Sequence, residues 1–182
     1  TGLVIGAGPV GLSARGFVRL AGARLLVMDM VQSRLDFVTQ TYGLTETICA
    51  DGTEADLIKV ADLTDNEFCD VVIDATGSER SMNRSLEFAA FGGRVVYVGI
   101  TQGTLSFPHA PLLHRRELTI LASRNALSRD FDRIIKEIEA ERINTAPWIT
   151  HRMSWTDLPE QFPHLVDPSS GVLKAVATVE PS

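Results

Sequence analysis

The residues with the clearest chemical capacity are Gly6-Ala7-Gly8-Pro9-Val10-Gly11, directly behind the apolar run Leu3-Val4-Ile5. A strand that ends in such a turn and opens a helix presents free backbone N–H groups and a positive helix end to a phosphate. Gly6 permits the tight turn, Gly8 lets a pyrophosphate approach a backbone without a Cβ, and Gly11 lets the helix pack close to the sheet. A second strand, Leu25-Leu26-Val27-Met28, ends on Asp29, 18 residues after Gly11. An acid at that spacing accepts hydrogen bonds from both hydroxyls of a ribose and repels a 2′-phosphate, so the pattern points to NAD rather than NADP. Arg34, one helical turn beyond, lies against the adenosine or is a solvated helix residue.

Other chemistry is not visible. The sequence has no HExxH, no GxSxG and no Cys/His cluster. The four histidines, His109, His114, His151 and His164, are scattered and read as surface or packing residues. Cys49 and Cys69 lack CxxC spacing and read as two buried, reduced thiols of a cytoplasmic protein. No catalytic residue and no metal ligand is assigned. A formal net charge of −6 with no basic tract argues against nucleic acid as a partner. No apolar run approaches the roughly 18 residues of a membrane span.

The elements that must position the glycine turn alternate along the chain. Helices are predicted over Pro9–Leu20, Val31–Tyr42, Glu54–Ala61 and Ser81–Phe91, the last closed by Gly92-Gly93. Strands are predicted at Glu46–Cys49, Cys69–Asp74, Arg94–Val98 and Leu118–Leu121, with Thr104–Phe107 as an edge strand bounded by Gly and Pro. Continuous apolar strands between helices give an α/β, doubly wound parallel sheet of the Rossmann type with six central strands. The nucleotide domain spans residues 1–122, and 123–182 form a C-terminal accessory segment. That segment has an amphipathic helix from Ser128 to Ala140, then strand, helix and strand at Ile149–Met153, Leu158–Val166 and Val172–Val179. Ligands of such sheets lie at the carboxyl ends of the strands, which selects Gly6–Val10, Asp29, Ala75–Ser78 and Val98–Ile100.

The run VIGAGPVGLSA, VMDMVQSRL, CDVVIDATGS, AAFGGRVVYVGI and RRELTILASRNA, with the tail PSSGVLKAVATVE, resembles the cofactor domain of zinc-type medium-chain alcohol dehydrogenases. It is most similar to their polyol, aldonate and threonine dehydrogenase branch. The resemblance implies pyrophosphate contacts at Gly8, Pro9 and Val10, and adenosine contacts at Asp29 and Arg34. It implies that Thr76 lines the cleft and that Val98, Gly99 and Ile100 flank the nicotinamide. Backbone near Val98 and Ser123 would bind the carboxamide. Lys174 matches a basic residue that returns toward the pyrophosphate; the alternative is an exposed strand lysine. Ala122 stands where many relatives have Gly.

The resemblance also implies a catalytic zinc held by a separate, N-terminal domain whose positions this chain lacks. On that basis the chain is expected to be inactive alone, as the NAD-binding half of an enzyme acting on a small alcohol. Trp148, Trp155, Leu165 and Val172 are expected to be more exposed than in an intact enzyme, or covered by a neighbouring chain. A homodimer is expected through the Thr104–Phe107 edge. Two other readings remain open at this point: a non-catalytic NAD-sensing regulatory domain, and part of an FAD-dependent oxidoreductase. The second requires a Gly-Asp flavin motif, and the sequence contains no Gly-Asp pair.

Overall fold

The computed structural model describes residues 1–167 and 170–179. The chain forms two compact units, Thr1–Ser128 and Arg129–Ser182.

The first unit is a six-stranded sheet of parallel strands. These are β1 (Gly2–Ile5), β2 (Leu25–Asp29), β3 (Thr47–Cys49), β4 (Cys69–Asp74), β5 (Ala89–Tyr97) and β6 (Thr119–Ala122). Their order is β3-β2-β1-β4-β5-β6. The chain thus winds outward in one direction from β1, then crosses back to β4 and winds the other way. The reversal leaves a crevice at the carboxyl ends of β1 and β4, which pair with Ile5 opposite Asp74. β1 and β2 are buried throughout, as strands covered on both faces must be. The core gathers Leu3, Ile5, Leu26, Met28, Val72 and Val95.

Local chemistry sets the helix limits. α1 (Pro9–Leu20) starts with proline at N1, where a missing N–H costs nothing. α2 (Gln32–Tyr42) stops at Gly43, which takes a left-handed φ of 65°. In α3 (Glu54–Leu63) the Thr53 hydroxyl accepts the Ala55 N–H at 3.2 Å, a side-chain cap.

Two expectations fail in the next stretch. The helix expected over Ser81–Phe91 is a short α4 (Glu79–Arg84), a 3₁₀ turn over Ser85–Phe88, and then β5, which already begins at Ala89. Gly92 and Gly93 therefore lie inside a strand. A Cβ on Gly93 would fall 2.8 Å from the Ala90 oxygen and 3.2 Å from the Cys69 oxygen, so this glycine serves close backbone approach beside β4. The pairing register of β4 and β5 shifts there, between Cys69 and Val71. Thr104–Phe107 is not a strand either. The Ser106 N–H donates to the Asn83 side chain at 2.6 Å, and Leu105 and Phe107 pack against the core. A π-helical turn over His109–His114 leads from it toward β6.

The second unit carries most of α5 (Ser128–Glu139), then β7 (Ile149–Ser154), α6 (Leu158–Val166) and β8 (Lys174–Thr178). β7 and β8 pair in parallel as a separate two-stranded sheet. No residue of α5 is buried, and Phe131 and Ile135 on its apolar side are more than half exposed. Trp155 is exposed, whereas Trp148, Leu165 and Val172 are half-buried. Of the two cysteines Cys69 is buried, but Cys49 is only half-buried. No helix among the described residues is long and apolar enough to cross a membrane.

Candidate functional site

A cavity of about 300 Å³ opens at the carboxyl ends of β1, β2 and β4. Of the residues singled out from the sequence, Gly6, Gly8, Asp29, Arg34 and Thr76 line it together.

The three glycines differ in what surrounds them. Gly6 has φ of 101°, which an L side chain rarely adopts, and a Cβ there would press on Ala75 and Thr76 at 3.3 Å. A Cβ on Gly11 would fall 1.7 Å from the Gly6 carbonyl oxygen, so this position closes α1 onto the turn. Around Gly8 a Cβ would meet nothing within 4 Å. The space over Gly8 is open, beside the first turn of a helix that has no acidic residue there. That is the shape and polarity a pyrophosphate requires.

Asp29 ends β2 and is 7% exposed. Its carboxylate accepts the Ala7 N–H at 2.7 Å through Oδ2 and the Val31 N–H at 2.8 Å through Oδ1. Arg34 stands 3.7 Å from Oδ2. The carboxylate thereby fixes the glycine turn against the end of β2, and each oxygen keeps a lone pair for a further donor.

The opposite wall is built on Asp74, a fully buried carboxylate at the end of β4. Oδ1 accepts the Thr76 N–H at 2.9 Å and its hydroxyl at 2.7 Å, and Oδ2 accepts the Ser81 hydroxyl at 2.6 Å. The Asp74 carbonyl accepts the Val98 and Gly99 N–H groups at 2.9 and 3.0 Å. A Cβ on Gly99 would lie 2.4 Å from the Gly77 nitrogen, so the turns after β4 and β5 touch backbone to backbone. Nearby, burial pushes the Tyr97 phenol up, and its hydroxyl donates to the Met82 carbonyl at 2.8 Å.

Ala75 and Ser78 line the cavity too, whereas Pro9, Val10, Val98, Gly99, Ile100, Ser123 and Lys174 do not. Pro9 and Val10 begin α1, and Val10 is half exposed. Val98 and Gly99 are half-buried, while Ile100 is 84% exposed. Ser123 is exposed just past β6, its N–H donating to the Tyr97 carbonyl at 2.9 Å. Lys174 is exposed at the start of β8, in the second unit.

Residues 9–140 match the model of a protein family described as zinc-binding dehydrogenase. The chain belongs to the zinc-binding dehydrogenase family. It corresponds to the C-terminal, NAD-binding part of that family's zinc-type alcohol dehydrogenases. It is 31% identical to an L-galactonate-5-dehydrogenase of Escherichia coli K12, over 97% of this chain and 51% of that protein. It is 28% identical to a D-xylulose reductase of Saccharomyces cerevisiae, over 88% of this chain and 46% of that protein. The solved structure of an alcohol dehydrogenase from Thermus sp. ATN1 superposes with a TM-score of 0.86 at 26% identity, covering 98% of this chain and 51% of that one. The chain thus spans about half the length of the relatives it matches.

The family's description raises the question of zinc. Among the described residues no group of three or more His, Cys, Asp or Glu side chains is placed to hold a metal ion. The described residues do not fit zinc. They do fit a dinucleotide, through the open space at Gly8 and the carboxylate of Asp29.

Sequence reasoning missed a network in the wall of the cavity itself. Asp56, 1% exposed in the first turn of α3, accepts the Asp51 and Gly52 N–H groups at 3.1 and 2.9 Å and pairs with Arg84 at 3.2 Å. Arg84 also donates to the Thr53 carbonyl at 2.8 Å, and Arg80 to that of Gly52 at 2.6 Å. These bonds tie the turn after β3 to α4 across the cavity. Asp74 was reachable from the rule that ligands sit at strand carboxyl ends. Asp56 was not, since its partner lies 28 residues away.

Proposed function

We propose that this chain binds NAD in the cleft and serves as the cofactor half of a zinc-dependent dehydrogenase. That enzyme would transfer hydride between NAD and a secondary alcohol derived from a sugar. The observation that carries the reading is the Asp29 carboxylate, held at the cavity wall beside the open space over Gly8. In this reading Gly8, Pro9 and Val10 face the pyrophosphate, with Gly6 and Gly11 shaping the turn. Asp29 binds the adenosine ribose with Arg34 beside it, and Thr76 lines the cleft. Val98, Gly99, Ile100 and Ser123 serve the nicotinamide end. Bound NAD supplies the hydride acceptor; the chain's own residues bind and orient it.

The sugar-derived substrate rests on relatives named for L-galactonate and D-xylulose. Because no described residues are placed to hold zinc, the chain by itself is expected not to oxidise alcohols. We further propose a domain boundary at 122/123, a homodimer whose contact is the non-strand Thr104–Phe107 segment, and, from its unpaired thiols, a location in the cytoplasm. Light scattering that finds only monomer at high concentration overturns the dimer.

Calorimetric titration with NADH and NADPH tests the cofactor reading. NADH binds at least about tenfold tighter, because Asp29 gives charge-assisted bonds to the ribose and repels a 2′-phosphate. Asp29→Ala weakens NADH binding about 10- to 100-fold and erases the discrimination. Preference of the unaltered chain for NADPH overturns the assignment.

A further inference from the structure

A second cavity, also about 300 Å³, lies at the other end of β2 from the nucleotide cleft. It is walled by the C-terminal halves of α1 and α2 and by the start of β2. Three arginines, Arg15, Arg19 and Arg24, face one carboxylate there, Glu46, in a chain of net charge −6. Arg24 is committed: its Nε donates to both oxygens of Glu46 at 3.0 and 3.2 Å, and its Nη2 to the Leu63 carbonyl. Arg15 and Arg19 are left as the positive side of the cavity.

Arg15 is the unusual one. It shares the buried face of α1 with Gly11 and Leu12, a position where an aliphatic side chain would pack without penalty. It is instead a guanidinium, 6% exposed, stacked 3.6 Å from the centre of the Tyr42 ring. Its Nε is buried and has no hydrogen-bond partner in the protein. Burial pulls this group below the ordinary arginine value; Tyr42 opposes that pull and the neighbouring Arg19 charge adds to it. An unsatisfied buried donor costs stability, and folded proteins seldom retain one that nothing satisfies.

We propose that Arg15 and Arg19 bind the phosphate of a small phosphate monoester in this cavity. Two guanidiniums with forked donors match a doubly charged oxyanion better than a single carboxylate. The cavity exceeds a bare phosphate, and Leu25 and Leu44 in its wall offer apolar surface to the carbon body. The site is separate from the glycine turn and does not depend on the nucleotide reading.

The test follows arginine Nε–H resonances of the ¹⁵N-labelled chain during titration with inorganic phosphate and with glucose 6-phosphate. Both series are run with and without saturating NADH, which occupies the glycine turn. The Arg15 Nε–H resonance shifts saturably in both series, and glucose 6-phosphate binds at least as tightly as phosphate. Acetate at equal ionic strength binds about tenfold more weakly. Arg19→Gln, at an exposed position, weakens phosphate binding about tenfold. Arg15→Met abolishes it and leaves NADH affinity unchanged. The proposal fails if Arg15→Met and Arg19→Gln bind phosphate like the unaltered chain. It fails equally if the shift grows linearly with salt, or if NADH removes it. Should NADH itself not bind, phosphate held at the glycine turn still reveals itself by indifference to both arginine substitutions.

Discussion

Replacing Gly8 and Gly11 by alanine, one at a time, separates binding from folding within one six-residue turn. Gly8 has φ of −76° and ψ of −177°, a conformation open to any residue, and an added Cβ meets nothing within 4 Å. Gly8→Ala loses backbone freedom in the unfolded chain, which favours folding by about 0.4–1 kcal/mol. It also exchanges glycine for the poorer alanine at an N-cap, which opposes that gain by a similar amount. The ligand-free chain should therefore melt within a few degrees of the parent. In the proposed binding mode, the same methyl occupies the space through which a pyrophosphate would reach the backbone. Overpacking of about 1–3 kcal/mol translates into a loss of NADH affinity of about 10- to 100-fold. Gly11→Ala behaves oppositely. Its Cβ falls 1.7 Å from the Gly6 oxygen, a backbone atom that moves only if α1 and β1 separate. The cost is at least about 3 kcal/mol and appears without ligand.

Differential scanning fluorimetry gives the melting temperatures, and NADH fluorescence titration gives the affinities. The reasoning is refuted if Gly8→Ala unfolds the free chain as readily as Gly11→Ala does. It is refuted equally if Gly8→Ala binds NADH like the parent.

Other outcomes follow from the buried network and from the thiols. Asp56→Ala strands the Asp51 and Gly52 N–H groups and the charge of Arg84, costing about 2–3 kcal/mol in urea denaturation; Asp56→Asn loses less. Burial pushes the Cys69 thiol up to about 12, so in the native state a thiol reagent at pH 8 reaches Cys49 and reaches Cys69 only after unfolding. Because the folded value lies above the unfolded value of about 8.5, the Cys69 contribution is complete below pH 8.5 and is lost as pH rises toward 12. Urea midpoints at pH 7.5 and 10.5 should therefore fall more steeply for the parent than for Cys69→Ala. In hydrogen exchange, β1 and β4 are the slowest elements, and β7 and β8, which contain no buried residue, exchange first.

The sequence made the sheet legible because each central strand is an apolar run closed by a turn, and because glycine and proline mark the ends of α1 and α2. It made Asp29 legible because spacing from the glycine turn is a local property. It misled at Gly92-Gly93, since a glycine pair ends a helix or relieves crowding between strands, and only the carbonyl of Cys69 beside Gly93 decides which. It misled at Thr104–Phe107, where apolar alternation is satisfied by packing while the Ser106 N–H goes to Asn83 instead of a neighbouring strand. Asp56 and Arg15 were illegible for a related reason. Their significance lies in partners, or in the lack of one, that only tertiary structure reveals.

The two cavities show contrasting ways of meeting a negative charge along a single helix. Around the cavity proposed to hold the nucleotide the guanidiniums are engaged within the protein: Arg34 lies beside Asp29, Arg80 on the Gly52 carbonyl, and Arg84 on Asp56. The positive potential offered to a pyrophosphate therefore comes chiefly from the N-terminus of α1, where no acidic residue opposes it. At the far end of α1 the helix dipole is negative, so a basic residue in the last turn is favoured without any ligand, and that accounts for Arg19. It does not account for Arg15. That guanidinium lies a turn further in, stacked on Tyr42 and with its Nε unpaired, where the dipole offers little and desolvation costs much. A charge kept at such a position is explained by an anion that reaches it, which is why Arg15 rather than Arg19 decides between a ligand site and a helix cap.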